Sequence, residues 1–370
     1  MAVKGYSAPE VAEMIFRARA LTKQLERSEH SIQLLYFQRY FHLIRAEHKL
    51  ALSLAEQIEK VGAAQNSQAA CLLGHYLQAI SRFYLGEFSA ARALFEQCDG
   101  LQDPAVRAVY AELTLEDAYV GSLAHLGLTL ACLGYFDQAR VRLDEALGEA
   151  NRFGHPYTVV WVLSMFCGLE AIAGSPHETI RHADKIIALS TEHGFPLWQA
   201  WGFLQRGWSL TALGQVKQGL ALLEKAISVR RPTGAVINMP RALCFLAEAY
   251  AKVERLGDSL NCLTEAAELI ETTGERAREA EFWLLRGDLM ILTGNRLVAE
   301  QHYCQAIGVA KQQSAKPFEL RAATTLARLW RDQGKRAEDR DLLAPVYNWF
   351  AEGLDTPVLK EAEALLRSLK

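Results

Sequence analysis

The stretch HGFPLWQAWGFLQRGW, residues 193–208, concentrates the side chains that are best suited to molecular recognition. It carries Trp198, Trp201 and Trp208, with Arg206 among them. Trp201 and Trp208 are seven residues apart, which is two helical turns, so on a helix they share one face. Indole rings beside charged groups suit a peptide or a small polar ligand. Whether they form a binding surface depends on the elements that position them.

Catalytic and metal-binding patterns match the chain poorly. The segment HETIRH places His177 and His182 five residues apart, whereas a helical zinc motif needs histidines four apart on one face. We interpret both as solvent-facing or capping histidines. The chain shows no nucleophile elbow and no P-loop, which are the local signatures of nucleophilic and phosphate-handling sites. We therefore expect no enzymatic activity, no metal and no cofactor in this segment.

The composition is that of a well-packed protein without a marked charge bias. Half of the 370 residues are hydrophobic, 22% are charged and the net charge is −3, which gives no support for nucleic-acid or anionic-membrane binding. The seven cysteines are scattered and form no C-x-x-C pair, as in a reduced, cytoplasmic protein. The N-terminus shows no secretory signal. We also expect no run of about 18 apolar residues that would span a membrane.

The chain repeats itself at intervals of forty residues. Aligning LGYFDQARVRLDEAL (133–147) with LGQVKQGLALLEKAI (213–227) defines eight turn positions, with one eight-residue insertion after the second. These positions, which number units 1 to 8, are Ala46, Gly86, Gly134, Gly174, Gly214, Glu254, Gly294 and Gly334. Small residues recur seven before and five after each turn, apart from Arg39 and Asp339. Such columns indicate two helices in close approach.

Each unit is predicted to contain helix A, a turn, helix B and a residue that ends helix B. The ending residues, twenty positions after the turn, tolerate the left-handed conformation. They are Asn66, Gly154, Gly194, Gly234 and Gly274. The segment 7–25 is predicted to be a lone helix B, so that either the natural chain continues upstream or this helix caps the array. Residues 1–354 form the predicted array, and 355–370 form a predicted C-terminal capping helix.

This pattern resembles the tetratricopeptide repeat (TPR). The segment 283–306 matches best, with Trp283, Gly287, Gly294, Ala299, Tyr303 and Ala306 on the family's positions. Glu254 and Asp339 depart from the pattern, and Arg206 and Arg286 occupy a usually apolar column. The period exceeds the family's usual value of about 34, which suggests longer helices, as in MalT-like bacterial regulators. The resemblance implies an all-α, right-handed solenoid of about eight TPR-like units.

A second resemblance covers essentially the whole chain and is weakest at 101–121. The segments 4–11, 194–215 and 319–366 are similar to the TPR arrays that end large bacterial signalling ATPases. In those proteins a class III adenylyl or guanylyl cyclase or a protein kinase domain precedes a STAND-type NTPase module. The resemblance implies that this chain is an accessory array that regulates an attached or partner NTPase–cyclase module.

In the TPR family, helix A supplies the concave surface, and its positions predict a groove in this chain. The predicted groove residues are His125, Trp161, Met165, Trp201, Gln205, Trp208, Arg241, Phe245 and Glu248. The same positions become charged towards the C-terminus, with Glu281, Asp288 and Arg321. A second aromatic patch comprises Tyr36, Tyr40, Tyr76 and Tyr84, for which packing between adjacent A helices is the favoured alternative. For Trp201 and Trp208 we expect partial exposure to the groove.

These observations predict a non-catalytic interaction and sensor domain. It binds a protein segment, a peptide or a small effector in the groove, with no role for nucleic acid or membrane. The alternative is an oligomerisation scaffold or spacer without a ligand. Such a scaffold is expected to expose apolar surface at the array ends and to self-associate, whereas a sensor is compatible with a monomer.

Overall fold

The structure is a computed structural model that describes residues 31–114 and 117–369, with Glu13 and Arg17 as isolated positions. The helix predicted at 7–25 lies outside the described residues. The described part contains 18 α-helices and no strand. The helices are α1 (Ser31–Ile44), α2 (His48–Ala64), α3 (Gln68–Tyr84), α4 (Phe88–Glu96), α5 (Pro104–Leu113), α6 (Ala118–Leu133), α7 (Phe136–Phe153), α8 (Pro156–Ala173), α9 (Pro176–Glu192), α10 (Pro196–Ala212), α11 (Val216–Arg230), α12 (Met239–Lys252), α13 (Leu256–Thr273), α14 (Glu279–Leu292), α15 (Arg296–Gln312), α16 (Lys316–Asp332), α17 (Arg336–Tyr347) and α18 (Pro357–Ser368).

The helices form hairpins that correspond to the repeat units. Units 1 and 2 are α1–α2 and α3–α4, and units 3 to 8 are the consecutive pairs from α6–α7 to α16–α17. Helix α5 belongs to the insertion, and α18 follows the last unit. The predicted fold class, an all-α solenoid of TPR-like units, is therefore confirmed.

The turn residues explain why each unit breaks where it does. All eight predicted turn positions adopt the left-handed conformation, with φ between 59° and 102°. Glycine reaches this region without steric cost, but Ala46 and Glu254 adopt it as well, at 59° and 62°. The helix-ending column is also left-handed, and it extends to Ser314 at 56°. The forty-residue spacing is thus a repeat of backbone geometry and not only of residue type.

The insertion between units 2 and 3 is absorbed by a short helix. Helix α4 has nine residues and continues into the 3₁₀ turn Gln97–Gln102. Asp103 then starts α5, because its side chain accepts the N–H of Ala105 at 2.9 Å. Since Tyr110 of α5 is almost fully buried, the inserted segment adds to the core.

Small residues permit the close contact of the two helices within a unit. In unit 5, a Cβ added to Gly207 of α10 would lie 2.9 Å from the carbonyl oxygen of Gly219 on α11. That distance is too short for a carbon atom, so both columns must stay small. Arg39, the exception in the first column, is buried and donates from Nη2 to the carbonyl oxygen of Leu77 at 3.0 Å.

The superhelix is tight enough for its successive turns to touch. The N–H groups of Val236 and Ile237, after unit 5, donate to the carbonyl oxygen of Ile44 at 3.0 and 3.1 Å. The N–H of Arg276, after unit 6, donates in the same way to Tyr84 at 2.8 Å. Farther along, Phe136 of unit 3 stacks on Phe350, with ring centroids 6.5 Å apart. The inner surface of the array is therefore covered from the opposite side.

A buried polar cluster strengthens this closure. Glu275 is 4% exposed and accepts the backbone N–H of Asn238 at 3.1 Å and Nε2–H of His48 at 3.3 Å. The His48 ring stacks on Tyr84 with centroids 5.0 Å apart. Burial raises the pKa of Tyr84 to about 12. Units 1 and 2 and the loops after units 5 and 6 are thereby joined through buried hydrogen bonds.

One helix departs from the expectation that the chain has no run of about 18 apolar residues. Helix α8 is, among the described residues, long and apolar enough to cross a bilayer by length and composition, with a mean hydropathy of 1.5. However, 72% of it is buried inside the protein, where α6, α7 and α9 pack around it. Its apolar composition is accounted for by this central position in the core.

Candidate ligand cavity on the inner face

A cavity of about 200 Å³ lies where helices of units 5 to 8 converge. Its lining comes mainly from helices A, namely α10, α12, α14 and α16, with a smaller part from α13. We call it the inner cavity. The opposite side of the superhelix is near, since α6 packs against α16.

Aromatic and aliphatic side chains form one wall of the inner cavity. The indole of Trp208 on α10 stacks on the ring of Phe245 on α12, with centroids 5.5 Å apart and planes inclined by 27°. Leu263, Leu284 and Leu289 extend this wall. An apolar part of a ligand could pack against both the ring faces and the aliphatic side chains of this wall.

Arg241 is the charged group that stands out in the inner cavity. It is 5% exposed, and its Cζ lies 4.9 Å from the centroid of the Phe245 ring. Its Nε is buried without a hydrogen-bond partner, and none of its N–H groups donates to a described residue. Burial, with repulsion from Arg278, lowers the pKa of Arg241 to about 9. The guanidinium is thus protonated at neutral pH and has donors to spare.

The neighbouring charges are paired. The Glu281 carboxylate accepts from Arg278 at 3.3 Å and from Arg321 at 2.9 Å. Burial would raise the pKa of Glu281, but Arg278, Arg321 and Arg241 outweigh it and hold this pKa below its usual value. Near the rim, Lys252 Nζ lies 2.9 Å from Glu248 Oε1. Arg241 differs from these cations because its guanidinium donates to no described residue.

Asp288 adds a group that titrates near neutral pH. Its Oδ1 accepts the hydroxyl of Tyr303 at 2.8 Å. Burial raises the pKa of Asp288 to about 6, with a further contribution from the negative charge of Glu248. The hydrogen bond from Tyr303 opposes that shift. The net charge of the inner cavity therefore becomes more negative as the pH rises through about 6.

Part of the predicted groove lines this cavity. Four of the nine predicted residues do so, and these are Trp208, Arg241, Phe245 and Glu248. Glu281, Asp288 and Arg321 from the charged columns join them. Arg278 was missed because it precedes α14, so that counting positions along the helix face did not reach it. The signal that could have found it was an arginine immediately before a helix A.

His125 and its neighbours are packed in the core instead. The His125 ring lies 5.1 Å from that of Trp161 and 5.8 Å from that of Phe95, and its Nδ1–H donates to Gly121 at 3.2 Å. Burial lowers the pKa of His125 to about 3, so the ring is neutral. Met165 is 8% exposed. The interior of units 2 to 4 is filled by these side chains.

Trp201 and Gln205 also lie apart from the inner cavity. Trp201 is 8% exposed, which corrects the expected partial exposure, and Arg230 Cζ lies 5.5 Å from its ring. Gln205 is completely buried. Within the described part of the chain, Trp201 Nε1 and the Gln205 amide have no hydrogen-bond partner. Trp208, in contrast, is half-buried and faces the cavity.

The second aromatic patch follows the packing alternative. Tyr36, Tyr76 and Tyr84 are buried, and Tyr40 is half-buried. The rings of Tyr36 and Tyr40 lie 6.2 Å apart. These tyrosines fill the space between the first A helices and offer little surface to a ligand.

The remaining motifs have structural roles. His177 is exposed, but His182 is buried and stacks on Phe166 at 4.8 Å, which corrects its assignment to the surface. The described residues contain no group of three or more potential metal ligands. Arg206, the exception in an apolar column, donates from Nε to Asp184 at 2.8 Å. It thereby joins helix A of unit 5 to helix B of unit 4.

Comparison with known proteins places this geometry in a structural context. No known protein-family model matches the chain. An uncharacterized protein of Rhizobium meliloti (strain 1021) is 23% identical over 292 residues, covering 77% of this chain and 28% of that protein. The chain thus spans just over a quarter of the length of this relative.

Two solved structures are similar along nearly the whole chain. A Rap protein complexed with competence and sporulation factor superposes with a TM-score of 0.56 at 12% identity, covering 92% of this chain and 97% of that one. The Cut9–Hcn1 hetero-tetramer of the APC/C gives 0.54 at 14% identity, with coverages of 95% and 58%. The structural neighbours are TPR-repeat proteins. At these identities the likeness shows the fold alone.

Proposed function

We propose that this chain is a non-catalytic sensor array that captures a protein segment, a peptide or a small effector in the inner cavity. The observation that carries the proposal is Arg241, a buried guanidinium that borders open space and donates to no described residue. A buried charge without hydrogen bonds costs free energy. A ligand that satisfies it recovers that cost on binding, and the aromatic wall supplies apolar contact.

The structural neighbours support a partner of this kind. The Rap protein was solved with competence and sporulation factor, and Cut9 within a hetero-tetramer with Hcn1. TPR-like solenoids of this shape therefore hold partners. We extend that property to this chain as a protein or peptide partner, and we add a small effector because the inner cavity is small.

The closure of the superhelix offers a route from binding to regulation. Helix α12 starts directly after the loop that donates to Ile44, and α14 starts directly after the loop that donates to Tyr84. A ligand that shifts α12 against α14 would therefore strain the contacts with units 1 and 2. In the proposed function, the inter-turn contacts transmit this strain to an attached or partner NTPase–cyclase module of the kind that the sequence resemblance implies.

We also propose that the protein acts in the cytoplasm. All seven cysteines are free thiols, and five of them are buried. Scattered, unpaired cysteines fit a reducing compartment.

Affinity selection with mass-spectrometric detection tests the proposal. The probe is a library of random peptides with free termini, supplemented with small organic acids, amines and amides. The native chain should enrich a ligand, and Trp208→Ala should lose it because half of the stacked aromatic wall is removed. The matched control is Trp198→Ala, since Trp198 packs on Tyr157 at 5.7 Å, outside the cavity.

Far-UV circular dichroism must show equal helicity in all three proteins. No enrichment by the native chain, or equal enrichment by Trp208→Ala, refutes the assignment of the inner cavity.

The scaffold alternative makes a different prediction. Leu292 and Leu297, at the turn of unit 7, are 57% and 70% exposed, and such surface suits self-association. Light scattering that shows a stable oligomer, together with no enriched ligand, would favour the scaffold. A monomer that binds a ligand through Trp208 favours the sensor.

A further inference from the structure

We infer that the inner cavity takes a ligand with one carboxylate on an apolar body, in which the carboxylate pairs with Arg241. The inference rests on the proposed function and specifies the chemistry of its ligand. It follows from three features of the cavity, namely the unused donors, the balance of charge and the shape of the apolar wall.

The first feature is the guanidinium itself. Arg241 is 5% exposed and borders the inner cavity, and its guanidinium makes no hydrogen bond within residues 31–114 and 117–369. The planar fork of an arginine matches the two oxygens of a carboxylate, and such charge-assisted pairs are strong. Arg241 Cζ lies 4.9 Å from the centroid of the Phe245 ring, so the guanidinium is held beside the aromatic wall. An anion that enters the cavity thus meets free donors next to an apolar surface.

The second feature is the charge around Arg241, which selects a single negative charge. Arg278 and Arg321 are committed to Glu281, and Lys252 is committed to Glu248. Because Arg278 and Arg321 share one carboxylate, four cations face three carboxylates once Asp288 is ionised, and one positive charge remains to neutralise a ligand. A phosphate dianion would carry a second charge towards Glu248, Glu281 and Asp288, and repulsion between like charges opposes that. A carboxylate matches the one available charge.

The third feature is the apolar wall, which selects the kind of group to which the carboxylate is attached. Trp208 and Phe245 present stacked rings, and Leu284 and Leu289 lie beside them. The volume of about 200 Å³ is below the roughly 300–1,000 Å³ of sites for drug-sized ligands. An aromatic or branched aliphatic group of side-chain size fits such a space. Both the C-terminus of a peptide with an apolar last residue and a free small acid have this chemistry.

Isothermal titration of the full chain distinguishes the two sources. The small-acid arm uses 3-phenylpropionate, with 3-phenylpropionamide as its neutral counterpart and inorganic phosphate as the dianion. The peptide arm uses a peptide that ends in phenylalanine, with a free or an amidated C-terminus. We expect the free carboxylate in at least one arm to bind about tenfold to a hundredfold more tightly than its amide.

Variants of Arg241 test whether its guanidinium is the group that binds the carboxylate. Arg241→Gln should remove the preference for carboxylate over amide, and Arg241→Lys should keep part of it because the charge remains. The matched control is Arg286→Gln, since Arg286 lies over Phe282 and Trp283, away from the cavity lining. In the unliganded protein, Arg241→Gln should raise the melting temperature because a buried, unpaired charge is removed.

The failure of this inference differs from the failure of the proposed function. Ligands that need Trp208 but bind equally as amides, or equally to Arg241→Gln, overturn the carboxylate inference and leave the sensor function standing. Tighter binding of phosphate than of every carboxylate also overturns it. If no carboxylate binds at millimolar concentration and the peptide library enriches nothing, both are wrong.

Discussion

Two buried basic side chains on the inner face, His125 in unit 3 and Arg241 in unit 6, show how one repeat surface produces opposite outcomes. Both are 5% exposed, and both lie within 6 Å of an aromatic ring. His125 donates to Gly121 and is enclosed by rings, so it is neutral and part of the core. Arg241 donates to no described residue and borders open space.

The difference teaches how a recognition site is distinguished from core packing in a repeat protein. Residue type and column are insufficient, because both positions carry a nitrogenous side chain among aromatic rings. The deciding quantities are unused hydrogen-bonding capacity and adjacent volume. A buried imidazole avoids the cost of desolvating a charge by losing its proton. The guanidinium of Arg241 stays charged at neutral pH even though its pKa falls to about 9. Three predictions test this comparison, in order of decreasing effect.

The largest effect is expected from His125→Arg, which forces a permanent charge into the packed interior of units 2 to 4. The surrounding rings offer no anion, and leaving a buried charge uncompensated costs about 3–5 kcal/mol. Urea denaturation followed by circular dichroism measures the loss in the free energy of unfolding. The control His125→Phe keeps the ring volume without a charge and should cost far less. An unchanged denaturation midpoint for His125→Arg would mean that the interior of units 2 to 4 accommodates a charge as the inner cavity does.

A smaller, pH-dependent effect is expected from Asp288 in the inner cavity. Its folded-state pKa of about 6 lies above the ordinary value of 3.8, so the folded protein holds the proton more tightly than the unfolded chain. Stability is therefore lost as the pH rises from about 4 to about 6, by up to roughly 3 kcal/mol. Tyr303, Glu248, Arg321 and Lys252 are the charged or titratable groups acting on it.

The matched variant for this titration is Asp288→Asn, which cannot ionise. Thermal melts at about pH 4 and about pH 7 should show a smaller pH dependence for the variant than for the native chain. The same slope in both proteins would show that Asp288 titrates normally and that this side of the inner cavity is not desolvated.

The smallest effect is expected from Arg206→Ala, on the outer side of the array. Arg206 and Asp184 form an ion pair with side chains 37% and 53% exposed, and such pairs contribute about 0–1 kcal/mol. Melting temperature and ligand enrichment should both remain close to those of the native chain. A double-mutant cycle with Asp184→Asn isolates the pair, and a coupling well above 1 kcal/mol would show that solvent screens it less than its exposure indicates.

The repeat pattern predicted the backbone more fully than it predicted the site. All eight turn positions were located from spacing, including Ala46 and Glu254, whose residue types give no sign of a left-handed turn. Ser314 was missed for the converse reason, since the prediction used Gly or Asn as its signal. Helix-face counting also placed Trp208, Arg241, Phe245 and Glu248 together, as the inner cavity shows.

The sequence did not predict how exposed each inner-face residue is. Trp201 and Trp208 share one helix face, and the repeat pattern predicts both on the concave surface. However, Trp201 is buried and Trp208 lines a cavity. What separates them is which neighbouring side chains cover each indole ring. Trp201 is covered on the side of Arg230, whereas Trp208 meets Phe245 at the edge of a space that α14 and α16 leave open.

The sequence by itself determined the helices, the turns and the unit boundaries, because these follow from contacts over three to forty residues that recur with the repeat. Only the tertiary structure decided which inner-face side chains become core and which border a cavity. That outcome depends on hydrogen bonds such as those from Val236 to Ile44 and from Arg276 to Tyr84, which join residues far apart in the chain. Local periodicity carries no information about them, since the curvature that brings successive turns together accumulates over several units.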